Sequence, residues 1–569
     1  MRARDFDALG DTVFDVLVVG GGIHGLATAL DASARGLTVA LVEAGDFAAA
    51  TSFNHQRTAH GGLRSLQSGR LDHARESIRE RRALARIAPR LLRPLPFIIG
   101  TYRSWIKSRL ALGAAFRLDR WLGRHRNDGV EPELHLPPPR LTSRAATLKL
   151  FPGVRPGGLT GGANWYDYQI LHTNRLAIAF AAGADARGAR LVNYAQAVSA
   201  IREAAFAEPP PSPRLRRPRP SPELRRPRAS APKGQIAGMR VRDVLTGAKI
   251  DVRARMTINV AGARVADVMK MFGVNRDVPL VKAMNLATNK PASDMALAAP
   301  SPSGRMLTLV PWQGRALIGT AQSDDFRQPA DLGVTPSEID AFIADANAAF
   351  PALNLSRDDI TLVHRGLVPA QLGKKGRVEL LGSPEVRDHS RDGAPGAMSV
   401  IGVKYTTARA VGARAAKRAA KRLGGSTRRT DTDRAILPGA GISDHEALTI
   451  ETARAVGLEL APPIILHLNA IYGDRSAAIV RLMAERTDWR MPLVPGRPNV
   501  GAEVIHAIRQ EMARTVADVV IRRTELGAAG HPGADIVNAI AAIAAEELGW
   551  DADRRSAEIA TVEQFYKIW

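Results

Sequence analysis

The spacing of apolar positions changes period several times along the chain, and each change predicts an element. Phe14 to Val19 is short and almost wholly apolar, as a parallel strand buried on both faces requires. Ile23 to Arg35 is rich in Ala and Leu and reads as helix, and Thr38 to Val42 is a second apolar, β-branched strand. Together they predict a βαβ unit. A helix follows at about Asp72 to Ile87. "LVNYAQAVSAI" reads as strand, and "IAGMRVRDVLTGAKIDVRARMTINVAG" reads as a hairpin and a strand ending at Gly262. Val278 to Val368 alternates strands with a helix around Pro336 to Phe350. "MSVIGVKYTTARAVGARAAKRAAKRLGG" predicts strand, turn and a long helix from about Thr406, stopped by Gly424 and Gly425. From Thr430 onward the pattern is nearly all helical, which sets apart a C-terminal helical domain.

Glycine weakens both strand and helix, so its concentration between the first two elements needs a cause. Gly20, Gly22 and Gly25 have the G-x-G-x-x-G spacing of a dinucleotide site. The first turns the chain, the second lets a pyrophosphate approach the backbone, and the third lets helix and strand pack closely. Glu43 ends the second strand, where a carboxylate can accept hydrogen bonds from an adenosine ribose.

Size and charge narrow the reading. A chain of 569 residues exceeds one ordinary core, so two or three domains are expected. No run of eighteen apolar residues predicts a spanning helix, and no signal peptide is read, so the cytoplasm is the expected location. The absence of cysteine excludes disulfides, Cys-ligated iron–sulfur clusters and thiol catalysis. A redox enzyme of this composition passes its electrons from its cofactor to an external acceptor.

The net charge of +23 raises nucleic-acid binding, but no nucleic acid is expected as a partner. Of the 79 basic residues 66 are Arg, a drift in composition, and Pro209 to Gly234 alone carries nine prolines and a net +7. That insert is expected to be a disordered surface loop, either neutral in function or touching an anionic surface. Ala88 to Arg126 mixes Leu, Ile, Phe97, Trp105, Phe116 and Trp121 with nine basic residues and Asp119. It fits an anionic membrane surface, on the inner face of the cell membrane, or a cap subdomain with snorkelling arginines.

Four stretches carry a resemblance to one family. They are "VVGGGIHGLATALDASARGLTVALVEAGDFAAATS", "HGGLRSL" at His60 to Leu66, "GVKYTTAR" at Gly402 to Arg409, and "EMARTVADVVIRRTELG" at Glu511 to Gly527. Over nearly its whole length the chain resembles the FAD-dependent, quinone-linked glycerol-3-phosphate dehydrogenases. The resemblance implies an α/β fold: an FAD-binding, Rossmann-like part of the two-dinucleotide-binding-domain type, a mixed-sheet substrate domain and a C-terminal all-helical domain. The oxidoreductase part is expected over 1–428, with flavin-binding segments at about 10–87, 168–275 and 395–428. Cap and substrate segments fall at about 88–167 and 276–394, and the helical domain at 429–569.

By the same resemblance, FAD is held by Gly20, Gly21, Gly22, Ile23, His24, Gly25, Glu43, Ala44, Thr51 and Ser52. Gly61, Gly62, Leu63, Ala261, Gly262, Lys404, Tyr405 and Thr406 complete that set. Arg64, Arg387 and Lys404 are the expected catalytic residues, meeting a small anionic alcohol, sn-glycerol 3-phosphate, whose electrons leave to a quinone. The sequence departs from the family at Ser65, where Tyr is usual, at Asn285, where His is usual, and at Val368, where Arg is usual. Arg365 lies three residues before Val368, on the opposite face of an extended strand. Two other readings stay open: oxidation of a different hydroxy or amino acid, and a non-catalytic basic scaffold that binds anionic surfaces.

Overall fold

The computed structural model describes residues 1–63, 66, 69–103, 109–203, 234–373, 376–441 and 444–568. Arg64, Ser65, Trp105 and all of the Pro/Arg insert except Gly234 lie outside the described residues.

The apolar run Phe14–Val19 becomes the central strand of an eight-stranded sheet. It pairs in parallel with Val39–Val42 on one side and Lys249–Asn259 on the other, Val16 facing Val39 and Met256. Alternate residues bury into different layers. Val16 and Val18 pack with Leu26 and Ala29 of the Ile23–Ala34 helix, whereas Leu17 and Val19 pack with Met269 and Phe272. A strand covered on both faces has no polar side to show, which explains the unbroken apolar run.

Lys249–Asn259 is one long strand with two partners. Its first half is antiparallel to Gln235–Asp243, and its second half runs parallel to Phe14–Val19. Conversely, the single strand predicted in "LVNYAQAVSAI" divides into Arg190–Val192 and Ala195–Glu203, with Tyr194 between them at φ +53°.

A second sheet of ten strands runs from Val378–Leu380 through Ile360–Leu372, Leu280–Pro291 and Arg315–Gln322 towards Leu92–Tyr102 and Leu159–Ile170. The Pro336–Ala349 helix closes one face through Ile339, Phe342 and Ala346. The other face meets Phe53 and the C-terminal helices. Three segments lie on the other side of the division drawn from sequence. Thr58–Ala59 and the end of Leu159–Ile170 belong to this second sheet, while Glu385–Asp388 pairs with Ala397–Ile401 in the first. Among its described residues the amphipathic stretch after Ala88 divides into a strand, with Phe97 and Ile98 buried in the sheet, and the amphipathic helix Arg109–Leu122.

The stretch Glu511 to Gly527 is not one helix. Gly501–Glu511 ends with Met512 at φ +60°, and Asp518–Arg523 forms a separate π-helical turn. This break turns charged side chains inward. Arg523 and Arg522 both bond Asp46, Arg523 at 2.7 and 2.8 Å and Arg522 at 2.7 Å. Glu511 pairs with Arg175 at 2.6 and 2.8 Å. Burial works against the Asp46 anion, but the two guanidinium groups hold its carboxyl far below the usual range. No helix among the described residues is long and apolar enough to cross a membrane.

Candidate active site

The first strand ends in the glycine turn, and its geometry separates three kinds of requirement. Gly20 has φ +112°, and a Cβ there would sit 2.6 Å from the Val260 carbonyl. A Cβ on Gly25 would overlap the Gly20 carbonyl oxygen, so helix and strand touch through bare backbone. Gly21 is hemmed in by Glu43 and Phe47. Gly22 is different: its φ of −70° suits any residue, and a Cβ would approach only Ser52 Oγ, at 3.2 Å. Gly262, three residues past the Lys249–Asn259 strand, has no neighbour at all within 4 Å of such a Cβ, although its φ of +58° favours glycine. The protein leaves space at these two glycines.

The helix starting at Ile23 has no side-chain cap on Gly22, and the Ile23 amide donates to Ser52 Oγ at 3.0 Å. An open helix N-terminus beside a hydroxyl and unfilled glycines fits a pyrophosphate. Glu43 accepts from the amides of Gly21 at 2.6 Å and Gly45 at 2.9 Å, so its carboxylate braces the glycine turn. Burial pushes its carboxyl above the usual range despite these bonds. Ala44 beside it is exposed. Thr51 donates to the Leu367 carbonyl at 2.9 Å and ties this loop to the second sheet. His24 packs under Gly402 with Nε2 buried, and burial, with the Arg414 charge behind it, pushes its imidazole down to about 4.

Two further loops meet beside this cradle. The His60 amide donates to Thr406 Oγ1 at 3.1 Å, joining the His60–Leu63 loop to the turn before the Ala408–Arg422 helix. Tyr405 stacks near His55 with ring centres 4.3 Å apart, and Ala261 is fixed by Asn259 at 3.1 Å. Gly62 takes φ +86°, and Leu63 packs beside the Leu112 and Phe116 cluster. Lys404 is exposed, between the Ala397–Ile401 strand and the Ala408–Arg422 helix.

Sequence reasoning passed over His60 itself and Asp167. His60 Nδ1 lies 3.1 Å from Asp167 Oδ2, and Asp167 Oδ1 accepts from the Gly61 amide at 2.6 Å and from Arg81. Burial raises the Asp167 carboxyl, but the His60 hydrogen bond and the Arg81 charge outweigh it, leaving the group below its ordinary range. The visible signal was the histidine that opens the "HGGLR" stretch. Its partner is more than a hundred residues away and has no local signature.

Arg387 departs from expectation. It stands in the first sheet opposite Ser399, and Asp392 takes its guanidinium at 2.8 and 2.9 Å, with Glu385 at 3.7 Å. An arginine held by two carboxylates is not poised for a substrate anion. On the second sheet, Val368 faces Val281, Asn285 faces His364, and Arg365 faces Met284, with no shift in register between these pairs. Val368 and Asn285 therefore share a face, and Arg365 points to the other. Asn285 is buried and accepts from Thr320 at 2.9 Å.

Comparison with known proteins matches this architecture. The family described as FAD dependent oxidoreductase matches residues 15–211 and 226–418, and the C-terminal domain of alpha-glycerophosphate oxidase matches 430–555. A glycerol-3-phosphate dehydrogenase of Synechocystis is 29% identical, covering 99% of this chain and 98% of that protein. The mitochondrial glycerol-3-phosphate dehydrogenase of Bos taurus is 30% identical over 97% of this chain and 73% of its own. The FAD-complexed glycerol-3-phosphate dehydrogenase structure from Bacillus halodurans shares the fold at a TM-score of 0.71, with 22% identity, covering 99% of this chain and 96% of that one. The glycine cradle fits the FAD that the matched family requires, and with relatives that match nearly all of it the chain belongs to the FAD-dependent glycerol-3-phosphate dehydrogenase family.

Proposed function

We propose that this flavoenzyme oxidises sn-glycerol 3-phosphate to dihydroxyacetone phosphate and delivers the electrons to a quinone. The match of nearly all of this chain to relatives named for that substrate carries the reading. Gly20, Gly22, Ile23, Ser52 and Gly262 would hold the FAD pyrophosphate and its flanks, with Glu43 bracing the turn. Bound there, FAD supplies the acceptor for the hydride that leaves the secondary alcohol carbon.

The remaining chemistry belongs to side chains. Oxidation at carbon requires the hydroxyl to lose a proton, and Asn285, at the family's His position, cannot serve as a base near neutral pH. His60 can. Asp167 holds its Nδ1, leaves Nε2 to accept the proton and stabilises the imidazolium that results. Lys404, and Arg64 by resemblance, would hold the phosphate of the substrate. Val368 provides no charge where the family has Arg, which favours as a second reading a related anionic alcohol of different shape. Peripheral attachment to the inner face of the cell membrane is also proposed. The Arg109–Leu122 helix supports it, exposing Leu110 and Trp121 beside its arginines.

The test is anaerobic stopped-flow bleaching of the flavin by glycerol 3-phosphate and a panel of anionic alcohols. Wild type should bleach rapidly with glycerol 3-phosphate, and His60→Gln should retain FAD while slowing bleaching by about 10²-fold or more. Fast bleaching only by another panel member would reassign the substrate. An unimpaired His60→Gln would remove this residue from the reaction.

A further inference from the structure

A groove of about 600 Å³ runs between the Leu71–Ile87 helix, the Ala408–Arg422 helix and the 427–433 segment. Nine cationic side chains line it against three carboxylates. The carboxylates are already taken: Glu80 pairs with Arg409, Glu76 with Arg414 and Asp433 with Arg429. Arg35 turns to Asp31 at 2.7 Å. Five cations are left over.

Arg79, Lys417 and Arg428 are exposed and have no carboxylate at ion-pair distance among the described residues. Arg86 spends its guanidinium on the Asp128 carbonyl, and Arg82 reaches Asp128 only at 4.0 Å. Burial, followed by the Arg86 charge, lowers the Arg82 guanidinium below its ordinary value, as expected where like charges are held together. A concave wall of one sign focuses its field into the groove, and the volume is that of an ordinary ligand site. Among the described residues no aromatic side chain lines it.

We propose that this groove binds a compact, multiply charged phosphate anion, either free in solution or as a phosphate-bearing lipid headgroup. The two helices that form its walls follow the His60–Leu63 loop and the Lys404–Thr406 turn in the chain, so an occupant would tie together the helices that lead away from those loops. This site is separate from the catalytic cradle, and its test does not depend on turnover.

Tripolyphosphate titrated calorimetrically into the FAD-loaded protein should bind at one saturable site and weaken with salt. The pair Arg79→Glu with Lys417→Glu should weaken binding at least about tenfold, since two charge-assisted contacts become repulsions. A control pair, Arg315→Glu with Arg497→Glu, changes net charge equally at exposed positions outside the groove and should change affinity less than about twofold. Retained FAD content in each variant confirms the fold. In parallel, sedimentation with phosphatidylcholine vesicles containing phosphatidic acid identifies the headgroup as the source if only vesicle binding shows the same dependence on Arg79 and Lys417. Absence of binding to both probes overturns the proposal. Equal losses in the groove and control pairs also overturn it, because binding would then follow net charge alone.

Discussion

Gly22 and Gly25 are two glycines of one motif with opposite physical reasons. Gly25 is required by the protein, because its Cβ would overlap the Gly20 carbonyl. Gly22 has an ordinary backbone angle and a nearly open surround, so only a ligand needs its bareness. Gly22→Val is therefore expected to fold, with wild-type circular dichroism, but to purify colourless. Gly25→Val is expected to lose soluble protein, because a backbone clash of that depth requires helix and strand to separate. Stoichiometric yellow flavin in Gly22→Val would refute the assignment of the cradle. Sequence spacing gave the two glycines these different roles by their place in the motif, and what stands opposite each Cα shows the physical reason for each.

At the scale of elements, the stretch Glu511 to Gly527 shows what a linear motif conceals. It lies in the part whose pattern is nearly all helical, but the turn at Met512 and the π-helical turn at Asp518–Arg523 redirect Arg522 and Arg523 onto Asp46 of the nucleotide-binding part. The C-terminal bundle is thus docked by buried charge as well as by apolar contact. Asp46→Ala leaves two buried guanidinium groups without their shared partner and is expected to lower stability by about 3–5 kcal/mol. Equilibrium urea unfolding of the FAD-loaded protein measures it, and a change below about 1 kcal/mol would mean that solvent reaches the network. Arg387 makes the complementary point. A basic residue in a family motif looked available from sequence, but Asp392, five residues later across a tight turn, takes the Nε and Nη2 edge of its guanidinium, and Glu385 lies 3.7 Å from Nη1.

For the whole molecule, buried ionisable groups set the dependence of stability on pH. Asp46, Asp167 and Glu511 all have carboxyls held below their ordinary values, so their contribution is complete above about pH 4 and is lost as the pH falls further. His24 is depressed as well, to about 4, so its contribution is complete above about pH 6.5 and is lost between there and pH 4. The expected Tm profile is flat above pH 7, declines gently to pH 4 and falls steeply below it. Burial holds the His55, His364 and His506 imidazoles below their ordinary values as well, so His24→Gln should reduce the middle slope without abolishing it, and an unchanged slope in that variant would place the effect in the other three.

The sequence by itself determined the βαβ start, the long Ala408–Arg422 helix, the helical C-terminal part and the flavin motif. Those features depend on local period and on glycines close together in the chain, which neighbouring residues encode. Tertiary structure alone decided that His60 meets Asp167 and that Arg387 is already paired, whereas the opposed faces of Arg365 and Val368 followed from strand period and needed from the fold only a register without a bulge. It also set the partners of Asp46 and gathered uncompensated cations between two helices. Each of these is a meeting of residues far apart in the chain or a choice among several nearby charges, and only the packing that buries or aligns them selects the partner.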